Sequence, residues 1–135
     1  MPFLVTIAQE SRLGLVAGSG HVTGAELTQA WTDLVTSPAW TPGFDEIWDL
    51  SRSSEVDVSP ADLDALVAAT HGLAERAGEN RCVFVYTRGS VEAVLRLFEW
   101  RTADLPRTYH TARTRPEALA LLGLPPDALA DAASE

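Results

Sequence analysis

The stretch WDLSRSSEVDVSPADLDAL (residues 48–66) decides how the chain is read. Its first residues close an apolar run, EIWDL (46–50), which reads as a short buried strand ending at an aspartate. The polar residues that follow read as a serine-rich acidic loop, and SPADLDAL reads as the start of a helix. Ser59 stands at the N-cap, Pro60 at the first helical position and Asp62 three residues after the serine. Ser59 is therefore a helix cap or a phosphorylation site. As a cap its hydroxyl accepts a hydrogen bond from a backbone N–H, worth about 1 kcal/mol over alanine. Glu55, Asp57, Asp62 and Asp64 already crowd it with negative charge, and Pro60 shapes a cap, so the cap is the reading taken.

Working outward, FLVTIA (3–8) and RLGLVAG (12–18) are apolar runs separated by QES, the pattern of two strands joined by a tight turn. TGAELTQAWTDLV follows, with Thr23 and Glu26 in capping-box spacing and Leu27, Ala30, Leu34 and Val35 at helical intervals. SPAWTPGF is a loop broken by Pro38, Pro42 and Gly43. Beyond the Ser59 helix, whose inner face reads Leu63, Leu66, Val67, Thr70 and Ala74, RCVFVYT (81–87) is a strand dense in β-branched and aromatic residues. Ser90 caps a helix striped by Val91, Val94, Leu95 and Phe98. RTYHTAR (107–113) is a further strand. A last helix opens at Thr114, Pro116 and Glu117, buries Leu119 and Leu122, and stops near Gly123. The order β-β-α-β-α-β-α-β-α predicts an α/β sandwich, with parallel strands linked by right-handed crossovers and an antiparallel first hairpin. One domain over residues 1–124 and a polar tail over 125–135, frayed or forming one short turn, are expected.

The 135 residues suffice for a single core, and 46% hydrophobic with 21% charged residues is ordinary globular composition. No apolar run approaches the roughly 20 residues of a membrane span. The start, MPFLVTIAQE, has neither a basic region nor a small-residue cleavage site, so no secretory signal is expected. Cys82 is the one cysteine and excludes an internal disulfide; a cytoplasmic protein is expected. A net charge of −9 argues against general nucleic-acid binding. The charge is uneven: residues 1–80 hold 12 acids and three arginines, whereas residues 81–116 hold seven arginines and three acids.

Three pieces in their order carry a resemblance to a known family: GHVTGAELTQAWTDLV, IWDLSRSSEVDVSPADLDAL and YHTARTRPEALALLGL. Over roughly residues 3–124 the chain resembles the SpoIIAA-like superfamily, which joins STAS domains, among them anti-sigma-factor antagonists, with the lipid-binding lobe of CRAL-TRIO proteins. The resemblance implies a mixed five-stranded sheet and a regulatory rather than catalytic role. In the antagonists a D-L-S strand end is followed eight residues on by the Asp of D-S-S-G-L, whose first serine is phosphorylated. Asp49 and Asp57 keep that spacing, but the acceptor position is Val58, and Ser59 aligns with the second serine. That departure points to stand-alone members without partner switching.

Open α/β sheets bind ligands at the carboxyl ends of their strands. That edge is expected to gather a Gly18–His21 loop, Asp49 to Ser54, Thr87 to Ser90 and Arg113 to Arg115. Asp49, Ser51, Arg52, Ser59, Arg88, Ser90 and Arg113 are the candidate ligand-binding residues, suited to an anion. The plainer alternative is that Arg52, Arg88 and Arg113 pair with Asp49, Glu55 and Asp57. His21, His71 and His110 lie on different elements without metal-ligand spacing, so neither a metal nor a cofactor is expected. Cys82 begins a core strand, and no nucleophile motif is present. Trp48 is expected in the core. Trp31 and Trp100 fall off their helical stripes and Trp40 lies in a loop, positions that serve second-layer packing, a dimer or partner interface, or a lipid pocket. The expected function is a non-catalytic binding or regulatory module acting through a protein partner or self-association. A carrier of a small lipid-like or anionic ligand is the alternative.

Overall fold

The computed structural model describes residues 3–87 and 89–129, residue 90 by its backbone alone. Ten elements follow in the order β1 (Phe3–Ala8), β2 (Leu13–Thr23), α1 (Gly24–Thr36), β3 (Asp45–Asp57), α2 (Pro60–Gly72), α3 (Ala74–Ala77), β4 (Asn80–Val85), α4 (Gly89–Arg101), β5 (Arg107–Ala112) and α5 (Arg115–Leu121). They form the expected mixed sheet, in spatial order β1-β2-β3-β4-β5, with β1 antiparallel to β2 and all other pairs parallel. Right-handed crossovers between successive neighbours place α1, α2 and α4 on one face. Alternation along β3 separates the two sides: Trp48 and Leu50 join the larger core with Leu34, Val67 and Phe98, while Ile47 joins a smaller core with Val83, Ala118 and Leu119 of α5.

β3 and β2 differ from expectation at one end. β3 pairs with β4 only as far as Asp49 opposite Val85, yet it stays paired with β2 to Thr23 opposite Asp57. The two strands leave the sheet as a parallel ribbon. The residues read as a loop, SRSSEVD, are strand, and so are the Gly18–His21 residues. Register shifts between Ala17 and Ser19 and between Gly20 and His21 bend the ribbon, and Gly20 supplies a φ of 68° there. A two-stranded ribbon buries little side chain, so its sequence is polar and resembles a loop.

The ribbon ends where α1 and α2 begin, and both helices open with complete capping boxes. Thr23 Oγ1 accepts from the Glu26 N–H at 3.3 Å, and Glu26 Oε1 accepts from the Thr23 N–H at 2.9 Å. Ser59 Oγ accepts from the Asp62 N–H at 3.0 Å, and Asp62 Oδ2 accepts from the Ser59 N–H at 3.0 Å. The two starts touch: a Cβ on Gly24 would lie 2.3 Å from the Cβ of Asp62, so only glycine fits there. The inner face of α2 buries Leu63, Val67 and Thr70, but the helix ends at Gly72, and Ala74 belongs to α3.

Three tryptophans are core residues: Trp31, Trp40 and Trp48 are 2%, 7% and 5% exposed. Trp31 is buried because α1 packs on both the sheet and α2, so its apolar arc is wider than one stripe. Its Nε1 donates to the Ala69 carbonyl at 3.2 Å; that of Trp40 donates to the Arg76 carbonyl at 2.8 Å. After Gly123, at a φ of 70°, the chain makes a turn in which Leu129 is buried against the α5 face, and Ser11 Oγ donates to the Ala128 carbonyl at 2.9 Å. Among the described residues no helix is long and apolar enough to cross a membrane.

Removing the Ser59 cap by Ser59→Ala is expected to cost about 1 kcal/mol, read from urea denaturation. Only the Asp62 N–H loses its partner, and it remains exposed to water, while the backbone N–H of residue 59 still donates to Asp62, so the variant stays folded.

Candidate functional site

Asp49 sits where β3 parts from β4, on the α5 side of the sheet, and it is 6% exposed. Arg115, the first residue of α5, donates to its Oδ2 from Nε at 3.0 Å and reaches it from Nη2 at 2.9 Å. Ser51 donates to its Oδ1 from Oγ at 2.6 Å and from its backbone N–H at 3.0 Å. Burial acts to raise the Asp49 pKa, but the Ser51 and Arg115 hydrogen bonds outweigh it and hold the carboxyl below its ordinary value.

The remaining predicted residues are spread out. Arg52, Ser59 and Arg113 are exposed, and neither arginine makes an ion pair among the described residues. Arg88 lies outside the described residues, and Ser90 is placed only as the second residue of α4. The expected pairing of Arg52 and Arg113 with Asp49, Glu55 and Asp57 is corrected, while that of Arg88 lies outside the described residues. Asp49 is held by Arg115, because the strand alternation turns it toward α5. Glu55 and Asp57 face His21 across the ribbon, at 3.8 and 3.7 Å.

A second constellation, at the amino ends of the strands on the opposite face, was not singled out from the sequence. The Glu46 carboxylate is fully buried. It accepts from Arg107 Nη1 at 2.7 Å, Asn80 Nδ2 at 2.6 Å and Trp48 Nε1 at 2.9 Å. The Arg107 side chain is 3% exposed and lies under the Trp31 ring, 4.7 Å from its centroid. Burial would lower the Arg107 pKa, but the adjoining Glu46 charge overrides it and raises it well above the ordinary value, so the guanidinium stays charged. From Arg107 a directed chain runs outward. Its Nε donates to Tyr109 Oη at 3.1 Å, and Tyr109 Oη lies 2.8 Å from Thr102 Oγ1, which donates to the Phe98 carbonyl at 2.8 Å. Thr102 has one hydrogen and spends it on Phe98, so the Tyr109 hydroxyl is the donor between the two. The buried charge is thereby tied to the last turn of α4.

Cys82 is fully buried beside this pair, and burial pushes its thiol well above the ordinary value, which makes it inert. Among the described residues no three His, Cys, Asp or Glu side chains converge as metal ligands would.

Above the pair, α1, α2 and α4 leave a cavity of about 40 Å³ against the sheet. Trp31, Trp48, Phe84 and Phe98 form its aromatic walls, Arg107 and Thr70 are its polar members, and half-buried Leu66, Val94 and Leu95 stand between α2 and α4. The signal for the ion pair was present in the sequence: Glu46 and Arg107 each occupy an inward position, in step with Trp48 and Leu50 and with Tyr109 respectively. Their separation of 61 residues concealed that the two are partners.

His71, in the last turn of α2, has acceptors on both ring nitrogens: the Val67 carbonyl at 3.0 Å and Asp104 at 2.9 Å. These raise its pKa, the Val67 hydrogen bond most. A raised folded value means a stabilisation fully present below the unfolded pKa of about 6.5 and lost as pH rises through the folded one. His71→Ala is therefore expected to destabilise the protein more at about pH 5.5 than at about pH 8.5, measured by urea denaturation at each pH.

Truncating either member of the buried pair, by Glu46→Ala or Arg107→Ala, is expected to cost about 3–5 kcal/mol, because the other charge is left unpaired. In a double-mutant cycle the double variant should cost less than the sum of the singles, by about 0.5–3 kcal/mol. Additive losses would show that the two charges do not act as a pair.

No protein-family model and no curated protein matches the sequence. Solved structures do match in shape. An uncharacterised protein of the DUF3478 family from Shewanella loihica PV-4, with a SpoIIAA-like fold, superposes with a TM-score of 0.58 at 13% identity, over 89% of this chain and 91% of that one. The anti-sigma factor antagonist SpoIIAA in its unphosphorylated form superposes with a TM-score of 0.53 at 13% identity, over 90% of this chain and 97% of that one. At such identity the likeness is one of architecture. The chain has the SpoIIAA-like fold, an α/β sandwich on a mixed five-stranded sheet.

Proposed function

We propose that this chain is a single-domain, non-catalytic STAS-like module of the cytoplasm that works by protein contact. One observation carries the reading. On α4, Leu97 and Trp100 are 51% and 76% exposed, three residues apart and so on one side of the helix. A tryptophan held in water beside a leucine is the kind of anchor that interfaces bury. The other three tryptophans are all core residues, so Trp100 stands apart.

Supporting this, the SpoIIAA structure that the fold matches is that of an anti-sigma factor antagonist. Control by phosphate at the position that resembles the acceptor has no hydroxyl to use: Val58 packs against the main core and Ser59 is committed to its cap. For a hydrolytic reading His71 is not available as a base, since its two ring nitrogens face Val67 and Asp104. The lipid-carrier alternative draws on the cavity. A volume of about 40 Å³ falls far below the roughly 300–1,000 Å³ of ligand pockets, and Glu46 already neutralises Arg107.

Trp100→Ala is expected to leave stability within about 0.5 kcal/mol while abolishing association. Sedimentation reads contact with a second copy, and affinity capture against the same variant reads contact with another protein. A strictly monomeric wild type whose captured set is the same as that of Trp100→Ala would overturn the reading.

A further inference from the structure

β5 ends one side of the sheet, and its outer edge carries open backbone groups. The Asn80 and Tyr86 N–H groups donate to the Pro106 and Ala112 carbonyls at 3.3 and 3.1 Å. Backbone direction alternates along a strand, so the even-numbered residues of β5 turn to β4, and Arg107, Tyr109 and Thr111 turn outward. At the two ends the outward N–H groups are already used. That of Arg107 donates to the Leu105 carbonyl at 2.8 Å, and that of Arg113 to Glu117 Oε2 at 3.1 Å. Among the described residues the N–H and C=O groups of Tyr109 and Thr111 have no partner.

This edge is undefended. From Arg107 to Ala112 its register with β4 runs without a shift, and it holds no proline, lysine or bulge. Only another strand meets such a row of groups, and a copy of β5 meets it in full. Running antiparallel about a two-fold axis at His110, the copy sets Tyr109 opposite Thr111 of the partner subunit, and Thr111 opposite Tyr109 of the partner subunit. Residues so opposed exchange both hydrogen bonds, so every open group of the two is satisfied. Their side chains share the α4 side, where Tyr109 lies against Phe98, and an aromatic beside a β-branched residue is a favourable cross-strand contact.

Charge agrees with the same axis. A groove of about 380 Å³ separates the edge from α4, and Glu92, Arg96 and Glu99 border it with alternating sign. An antiparallel copy of α4 across the groove sets Arg96 against Glu99 of the partner subunit, reciprocally. Trp100 stands one turn from Arg96 and so borders the seam.

We infer that β5 is the seam of a two-fold dimer, in which two sheets join edge to edge and α4 packs beside its copy. The inference rests on the contact reading and names its partner as a second copy of this chain.

Sedimentation of the full chain is expected to show a closed dimer. His110→Cys places two thiols across the axis, where opposed residues have Cα atoms about 4.5 Å apart, and mild oxidation should link them. Thr108→Cys, on the same face but at least about 13 Å from its counterpart, should stay unlinked. Cys82 is fully buried and adds no background. Thr111→Pro removes an outward N–H while the bonds to β4 stay, and should weaken the dimer by about tenfold or more. If that variant does not fold, Arg96→Glu should weaken the dimer and the further change Glu99→Arg should restore it. A monomeric wild type, a dimer that His110→Cys does not link, or wild-type affinity in folded Thr111→Pro overturns the inference. A dimer lost in Trp100→Ala but unlinked by His110→Cys leaves the contact reading without the edge. Linking that survives Trp100→Ala leaves the edge without the contact reading.

Discussion

A carboxylate and a guanidinium buried in the same layer between sheet and helices constrain everything around them. Neither Glu46 nor Arg107 is tolerable there alone, since an isolated ion in so dry a place carries a penalty of several kcal/mol. The remaining lone pairs and hydrogens must also be met. That requirement accounts for Asn80 and Trp48 on the two central strands, for Tyr109 two residues from Arg107, and for Thr102 at the end of α4. The stacking of Trp31 over the guanidinium sets how α1 lies on the sheet. A single charge pair thus touches β3, β4, β5, α1 and α4.

The opposite end of the molecule is organised by backbone rather than charge. The ribbon of β2 and β3 delivers two helix starts side by side, and the close approach of Gly24 to Asp62 makes the two capping boxes a single packed unit. Three of the carboxyl-end residues expected to meet a ligand, Asp49, Ser51 and Ser59, are drawn into this scaffolding, whereas Arg52 and Arg113 stay exposed. Ser59 caps, Ser51 and Arg115 hold Asp49, and His21 faces Glu55 and Asp57.

Much of this was readable in the sequence, for reasons that differ by element. The helix starts were, because capping is local: Thr23 with Glu26 and Ser59 with Asp62 need three residues each. The parallel pairing behind an antiparallel first hairpin followed from the alternation of elements. The outer half of β3 was hidden because pairing outside the main core leaves side chains polar, and SRSSEVD carries no apolar alternation. The burial of Trp31 was hidden because a one-stripe helical pattern omits a helix packed on two sides. Charge partners were the least readable, since Asp49 lies 66 residues from Arg115 and Glu46 lies 61 from Arg107.

That last separation has a bearing on how the chain reaches its fold. Glu46 enters the core with β3, but its counter-ion arrives only when β5, the final strand, has docked beyond β4. Until then any intermediate with β3 in place must keep the Glu46 end of the sheet wet. Long-range closure of this kind slows the search, and it also removes the energetic foothold of partly assembled sheets.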